Sequence, residues 1–164
     1  MAMNSLPKGT LMADGMFALE RFVPFRLSIL ANRMTRAVAS VYARRFNVSA
    51  PEWRTLAVLG RFGAMTANSV VERTAMDKVR VSRAVTRLLE LGYITRRTDP
   101  LDRRRAILDL TASGNNVYRQ IVPRALAVER ELLQALDADE RTAFEAAISK
   151  LESRVAGVAP GADD

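Results

Sequence analysis

Five arginines surround one Asp-Pro turn in the stretch "TRRTDPLDRRRAILDLT", which runs from Thr95 to Thr111. Because like charges repel one another, this arrangement is unfavourable unless an anion meets it. A guanidinium binds phosphate or carboxylate through a planar fork of N–H donors, and a neighbouring carboxylate such as Asp102 could hold one fork in a fixed direction. The candidate anion-binding residues of this stretch are Arg97, Asp102, Arg103, Arg104 and Arg105.

A second polar set lies just upstream, in "DKVRVSRAVTRLLELG". The apolar residues of this segment repeat with helical spacing, so its polar side chains share the remaining surface of the helix. Arginine can read guanine through two hydrogen bonds, serine can bond to several bases, and lysine neutralises phosphate. The candidate residues of this helix are Lys78, Arg80, Ser82, Arg83, Thr86 and Arg87.

The composition of the whole chain also favours a polyanionic partner. Its 164 residues carry 25 Lys and Arg against 18 Asp and Glu, a net charge of +7, and 49% of them are apolar, enough for a packed core. Cysteine and histidine are absent, which excludes disulfides and thiol switches and removes the commonest general base and metal ligand. We therefore expect no enzymatic activity, no cofactor and no metal. We expect a cytoplasmic location, because the sequence has no signal-peptide core and no run long enough to span a membrane.

The N-terminal part of the chain predicts a loose arm over residues 1–16, followed by a long helix over about 17–46. Apolar residues in this helix step by three and four, as in a heptad seam. The seam packs either against a second subunit or within the chain's own core, and periodicity alone does not decide between the two. Its members are Leu27, Leu30, Met34, Ala37 and Val41.

Capping signals mark the elements that follow. Ser49 and Glu52 form an S-x-x-E capping box for a helix that Gly63 ends. Thr66 is the predicted N-cap of a short helix through Arg73, and Asp77 that of a longer helix to about Leu91, with Gly92 as its stop.

After Gly92 the pattern changes to the period of a strand. Residues 93–98 and 105–110 predict two short strands joined by "TDPLD". Thr111 then caps a long helix through Ala135, and "DADE" opens a final helix to about Val155. The order of elements predicts a mainly α fold with a small β-hairpin wing, a winged helix-turn-helix. We expect an arm (1–16), an N-terminal helix (17–48), a lobe that contains the winged helix-turn-helix (49–111), C-terminal helices (112–156) and a tail (157–164).

This order of elements gives both basic segments a role on DNA. The major groove admits one helix, and the first turns of that helix reach the base edges. A narrow minor groove has concentrated negative potential and accepts an inserted arginine from a tight turn. A basic helix face is usually only solvated, but a basic helix and a basic hairpin in this order together favour DNA binding.

The stretch "TAMDKVRVSRAVTRLLELGYITRRTDPLDRRRAILDLTASG" resembles the heart of the MarR family of bacterial transcription regulators. The resemblance extends over about Phe17 to Val155. It implies an obligate homodimer in which residues 17–48 and 112–156 are interlocked dimerisation helices and residues 49–111 are the DNA-binding lobe. It also implies a palindromic operator and, usually, repression relieved by a small anionic aromatic compound. It also places Asp102 and Arg104 on the family's wing-tip pair, and Lys78, Ser82 and Arg83 on its groove-facing helix. The family's cysteine-based redox sensing is excluded in this chain.

In this family, a ligand pocket lies between the dimer helices and the DNA-binding lobe. Arg26, Ile29, Arg33 and Arg36 share one face of the first helix, where the arginines could hold a carboxylate or a phosphate-bearing thioester. Trp53 could stack on an aromatic ring. These five residues are the predicted effector pocket, although helix arginines usually face water and a lone tryptophan is usually part of the core.

The sequence thus predicts a homodimeric, sequence-specific DNA-binding regulator, a repressor released by an aromatic carboxylate or its CoA thioester. The alternative is an effector-independent architectural or anti-silencing DNA-binding protein that uses the same helix and wing. A winged-helix module for protein interaction is a third class, but it would not require this many arginines.

Overall fold

A computed structural model describes residues 17–99, 102 and 105–157 of the chain. Within these ranges the fold is mainly helical, as predicted, and it contains three short strands where two were predicted. The helices are α1 (Val23–Ser40), α2 (Ala43–Phe46), α3 (Ala50–Phe62), α4 (Ala67–Thr74), α5 (Lys78–Glu90), α6 (Ala112–Leu133) and α7 (Ala138–Ala156). The strands are β1 (Met65–Thr66), β2 (Ile94–Thr98) and β3 (Ala106–Leu110).

The N-terminal helical region is interrupted, so the continuous helix predicted over residues 17–46 is wrong. A 3-10 turn at Leu19–Arg21 precedes α1, and Pro24 lies in the first turn of α1, where its missing N–H removes no hydrogen bond. Tyr42 then leaves helical geometry, with φ −132° and ψ −28°, and separates α1 from α2. Its side chain is only 1% exposed. The apolar period continues through the break, which is why periodicity did not detect it.

The lobe that follows begins and ends its helices at the predicted capping residues. The Ser49 N–H donates to Glu52 Oε2 at 2.6 Å, which completes the capping box of α3, and Gly63 ends that helix with φ +80°. Thr66 Oγ1 accepts a hydrogen bond from the Ser69 N–H at 3.2 Å. Asp77 Oδ1 accepts one from the Arg80 N–H at 2.8 Å. These short-range signals fix where α3, α4 and α5 start.

The predicted hairpin is present, but it belongs to a sheet of three strands. The order is β1-β3-β2, and both pairings are antiparallel. Strand β1 pairs Met65 with Leu108 and was not predicted, because two residues are too few to show an alternating pattern. This strand holds the wing base against the start of α4.

Thr111 joins the start of α6 to the end of α5. Its hydroxyl donates to the Gly92 carbonyl at 2.7 Å and accepts from the Gly114 N–H at 2.9 Å, while its own N–H donates to the Tyr93 carbonyl at 3.0 Å. A Cβ on Gly114 would lie 1.9 Å from the Tyr93 carbonyl oxygen, so this position requires glycine. The first turn of α6 is therefore tied to the base of the wing.

The chain divides into two compact units, Met1–Ala125 and Leu126–Asp164, with the boundary inside α6. The first unit has a hydrophobic core that joins α3, α4 and α5 to the sheet, with fully buried Leu56, Leu88 and Leu108 at its centre. In the second unit, Asp137 and Glu140 form the predicted capping box of α7. Among the described residues, no helix combines the length and the apolar character needed to cross a membrane.

Candidate nucleic-acid interface

Helix α5 has one buried and one exposed side. Val81, Ala84, Val85 and Leu88 are at most 7% exposed and fix this helix on the core. The predicted polar residues lie on the remaining surface, which is exposed at every predicted position except the half-buried Arg87. The helix therefore presents a polar surface on a rigid support, as a helix that reads a DNA groove must.

The cations of α5 differ in their partners. Arg80 Nε lies 3.2 Å from Asp77 Oδ2, and Arg87 Nη1 lies 3.0 Å from Glu90 Oε2. In both pairs the acid lies three residues away in sequence, at an end of the helix. These exposed pairs contribute little to stability, but they lower the net charge at the two ends of α5. At 3.6 residues per turn, Arg83 and Thr86 lie on the side of the helix opposite the buried residues, while Ser82 lies toward the wing.

One exposed apolar side chain on α5 was missed by the sequence analysis. Val79 lies between Lys78 and Arg80 and is 59% exposed, although its helix has a well-packed core side. An apolar group at this place could contact the methyl group of thymine in a major groove. Helical spacing could have identified it, because Val79 lies about half a turn around the helix from the buried residue Val81.

The two strands of the wing separate its arginines onto opposite faces. Arg96 pairs with Leu108 and Arg97 with Ile107, and residues directly opposite one another in an antiparallel pair point to the same face. Leu108 is buried, so Arg96 shares the core-facing side of the sheet. Arg97, which the sequence analysis had selected, lies on the outer face, and Arg96 was overlooked.

At the outer end of the wing, Arg105 Nε lies 3.3 Å from Asp102 Oδ2. The Arg105 N–H donates to the Asp102 carbonyl at 2.8 Å, and the Asp99 N–H donates to the Arg105 carbonyl at 2.9 Å. The expected pairing of Asp102 with a wing arginine therefore holds for Arg105. Arg103 and Arg104 lie outside the described residues.

A cleft lined by both polar and apolar residues opens between α4, α5 and the core-facing side of the wing. One part is lined by Lys78, Ser82 and Thr86 of α5 together with Arg96. An adjoining part, of about 410 Å³, lies next to Arg96, Arg105 and the first turn of α4. The cleft thus joins three of the predicted helix residues and one predicted wing residue to Arg96.

The five residues of the predicted effector pocket do not form one site in this structure. Arg26, Ile29 and Arg33 line a shallow groove of about 300 Å³ along α1, and Arg36 is exposed further along that helix. Trp53 lines a different pocket, of about 220 Å³, which contacts the part of α1 around Thr35. Thr35 lies two positions from Arg33, about half a turn around the helix, so the two pockets face different sides of α1.

The pocket beside Trp53 has an aromatic wall and one cation. The Trp53 ring lies 5.6 Å from that of Tyr42 and is stacked at 6.1 Å on that of Tyr118. Arg54, which the sequence analysis did not select, also lines this pocket and donates to Thr35 Oγ1 at 3.4 Å. Burial raises the pKa of the Tyr42 hydroxyl to about 12, so it stays protonated at neutral pH. Within the described chain, Trp53 and the arginines of α1 therefore line separate pockets, and their grouping into one effector site stays a prediction.

Comparisons with known proteins agree with this architecture. A family model described as the MarR family matches residues 46–105. The transcriptional regulator PecS of Dickeya dadantii is 26% identical over 133 residues, which are 79% of this chain and 78% of PecS. A MarR/EmrR family regulator from Acinetobacter sp. ADP1 superposes with a TM-score of 0.78 at 25% identity, covering 87% of this chain and all of that one.

A third similar protein is Bordetella bronchiseptica BpsR, whose DNA binding is regulated by 6-hydroxynicotinic acid. Its structure superposes with a TM-score of 0.75 at 24% identity, over 84% of this chain and 98% of BpsR. At this identity the likeness shows a common fold.

Proposed function

We propose that this chain, whose residues 46–105 match a model of the MarR family, is a transcription regulator of that family and a homodimeric, sequence-specific repressor of a palindromic operator. The observation that carries the proposal is the exposed polar surface of α5, held by a fully packed opposite side and adjoined by an arginine-bearing wing. In the complex, α5 enters the major groove and the wing approaches the neighbouring minor groove. Arg97 and Arg103–Arg105 are the proposed wing contacts.

The exposed apolar surface of α1 supports a dimer. Large side chains in the first half of this helix, among them Val23, Leu27 and Leu30, are about half exposed. A soluble chain rarely leaves such a row of apolar residues uncovered. In the proposed dimer a second copy covers them, and the two copies of α5 lie about 34 Å apart, one turn of DNA.

A small anionic aromatic compound is the proposed effector, and the pocket beside Trp53 is its proposed site. Arg54 offers a fork for a carboxylate, and Trp53 and Tyr42 offer flat apolar contact to a ring. The regulation of BpsR by 6-hydroxynicotinic acid, an aromatic carboxylate, supports this class of ligand. The arginines of α1 remain a second proposed site, with a groove that would suit the extended, phosphate-bearing CoA thioester.

One observation favours the alternative of an effector-independent DNA-binding protein. Trp53 already contacts the Tyr42 ring at a tilt and stacks on Tyr118, so these contacts use aromatic surface that a ligand would need. In that case the pocket is only a part of the core that holds α1 on the lobe.

Fluorescence anisotropy on a selected operator duplex tests both proposals. Wild-type protein should bind the operator at least 1000-fold more tightly than a random duplex, within the range of specific DNA-binding proteins. Equal affinity for the two duplexes would contradict sequence-specific regulation. A panel of aromatic acids and their CoA thioesters is then titrated into the complex.

Two variants then locate the effector site. Arg54→Ala should abolish the response to a releasing acid and Arg33→Ala should keep it, if the pocket beside Trp53 is the site. The reverse result would place the effector on α1. No response to any compound would favour the effector-independent protein.

A further inference from the structure

The cleft between α4, α5 and the wing has the composition of a site for a single phosphate. Three cations line it: Lys78 from α5, Arg96 from β2 and Arg105 from the start of β3. Glu72 is the acidic residue that lines it. Asp102 lies next to it and pairs with Arg105. The cations outnumber the acids, so an anion can enter without displacing an existing pair.

Neutral hydrogen-bonding groups lie beside these cations, and the floor of the first part is apolar, with Val85 and Leu108 among its residues. Asn68 borders both parts of the cleft, and Ser82 and Thr86 stand on the wall formed by α5. An amide or hydroxyl can donate to a phosphate oxygen, and such groups make many of the backbone contacts in protein–DNA complexes. These groups surround Arg96 from both helices, whereas Arg97 is separated from them by the sheet.

The position of Arg96 follows from the pairing of the strands. Ile94, two residues earlier on the same face, is 3% exposed and anchors β2 in the core. Two residues further, the same face emerges from the core beside α5, and this is where Arg96 extends into the cleft. Arg96 therefore lies on the side of the wing that faces α5, and the packing of Ile94 fixes its position along the strand.

The direction in which the cleft opens suggests its ligand. It is bordered by Lys78, Ser82 and Thr86, which belong to the surface proposed to enter a major groove. When one element lies in the major groove and another approaches the adjoining minor groove, the sugar–phosphate backbone that separates the two grooves passes between them. Phosphate contacts of this kind fix how a protein is seated on DNA without reading its sequence.

We propose that this cleft binds one backbone phosphate of the DNA, and that Arg96 is the principal cation contacting it. This proposal rests on the proposed function, because it needs a duplex seated on α5. In this role Arg96 differs from its neighbours. Its phosphate contact positions the duplex between α5 and the wing, and it does so equally for any DNA sequence.

The test replaces single operator phosphates with neutral methylphosphonates and measures affinity by anisotropy for four proteins. These are the wild type, Arg96→Ala, Arg97→Ala and Arg119→Ala. Arg119 is exposed on α6, so its replacement removes the same charge away from the cleft. Arg96→Lys is added to separate charge from the guanidinium fork, and thermal melting confirms that each variant is folded.

We expect Arg96→Ala to weaken binding by about tenfold on operator and random duplexes alike, and to reduce the slope of log K against log salt by about 0.9. Arg119→Ala should change neither quantity. Arg96→Lys should keep the salt slope and recover part of the affinity.

The methylphosphonate scan gives the sharper result. In each half-site, neutralising the phosphate that enters the cleft should weaken binding of the wild type. This loss of affinity should be absent in Arg96→Ala, which has already lost the contact, and should persist in Arg97→Ala. If the affinity lost through Arg96→Ala simply adds to the affinity lost through each methylphosphonate, at every position, the phosphate contact is contradicted. It is also contradicted if Arg96→Ala weakens binding to the operator but not to a random duplex. A wild type that binds no duplex would instead overturn the proposed function itself.

Discussion

The arginines of the DNA-binding lobe and those of α1 differ in the surfaces that hold them. Around α5 and the wing, arginines stand on elements whose other side is buried, and several are held by acids, as Arg80 is by Asp77. Along α1, Arg26 and Arg33 alternate with exposed apolar residues such as Leu30. The same residue type therefore serves different partners: a cationic surface on a packed support suits a polyanion, and a mixed apolar and cationic surface suits another protein chain or a small ligand.

The largest expected effect comes from the apolar surface of α1. Replacing Leu27 and Leu30 together by aspartate places two charges where the second copy is proposed to pack, so the dimer should dissociate. Operator affinity should fall by about 100-fold or more, because the second half-site no longer adds to binding. Sedimentation velocity and anisotropy on the same samples check this. A dimer that survives with unchanged operator affinity would show that α1 does not form the interface.

The link between the lobe and α6 should be the next most sensitive. Gly114→Ala puts a Cβ against the Tyr93 carbonyl oxygen, which cannot move without breaking its bond from Thr111. We expect the free energy of unfolding to fall by about 1–3 kcal/mol, as measured by urea denaturation. Gly157→Ala is the matched control, since its added Cβ would meet the nearest atom at 3.6 Å. Equal stability of the two variants would argue against the steric role of Gly114.

The two arginine-bearing surfaces can be compared directly on DNA. Arg83→Ala should reduce the discrimination between operator and random duplex by about 1–3 kcal/mol, if it reads a base through two hydrogen bonds. Arg33→Ala removes the same charge from α1 and should leave this discrimination unchanged. Anisotropy at several salt concentrations measures both variants. A loss of discrimination in Arg33→Ala would contradict the assignment of DNA contacts to the lobe and not to α1.

The last effect, which is confined to alkaline pH, concerns Tyr42, at the junction between α1 and the lobe. Its pKa is raised by burial to about 12 from the ordinary value of 10. Above pH 10 the unfolded chain loses this proton first, so the stability due to neutral Tyr42 is present below pH 10 and is lost as pH rises toward 12. The loss should reach about 2 kcal/mol relative to Tyr42→Phe, which lacks the group. Parallel denaturant titrations of the two proteins over this pH range should diverge, and parallel curves would contradict the raised pKa.

Local signals allowed most of the fold to be predicted from the sequence. Helix caps act within a few residues, so the neighbouring sequence is enough to predict them. Examples are the capping boxes at Ser49 and Asp137 and the helix ends at Gly63 and Gly92. The break at Tyr42 and strand β1 could not be predicted in this way, because each depends on residues far away in the chain. The apolar pattern continues through the break, and the two residues of β1 become a strand only beside Leu108.

The candidate site was predicted less completely than the fold. Residues such as Ser82 and Arg83 could be placed by helical spacing alone. The choice between Arg96 and Arg97 depended on which face of β2 meets the core, and the apolar Ile94 two residues before Arg96 was the available signal. Trp53 lies in a different pocket from the arginines of α1 and stacks on Tyr118, a contact between α3 and α6 that spacing does not reveal.

The central claim is that two copies of the chain together present two recognition helices to one duplex. Sedimentation velocity of fluorescently labelled operator with increasing protein tests it most directly. We predict that the bound species contains two chains per duplex at every protein concentration, with no complex of one chain, and that halving the palindrome removes most of the affinity. A complex of one chain per duplex that binds a half-site as tightly as the whole operator would contradict the account.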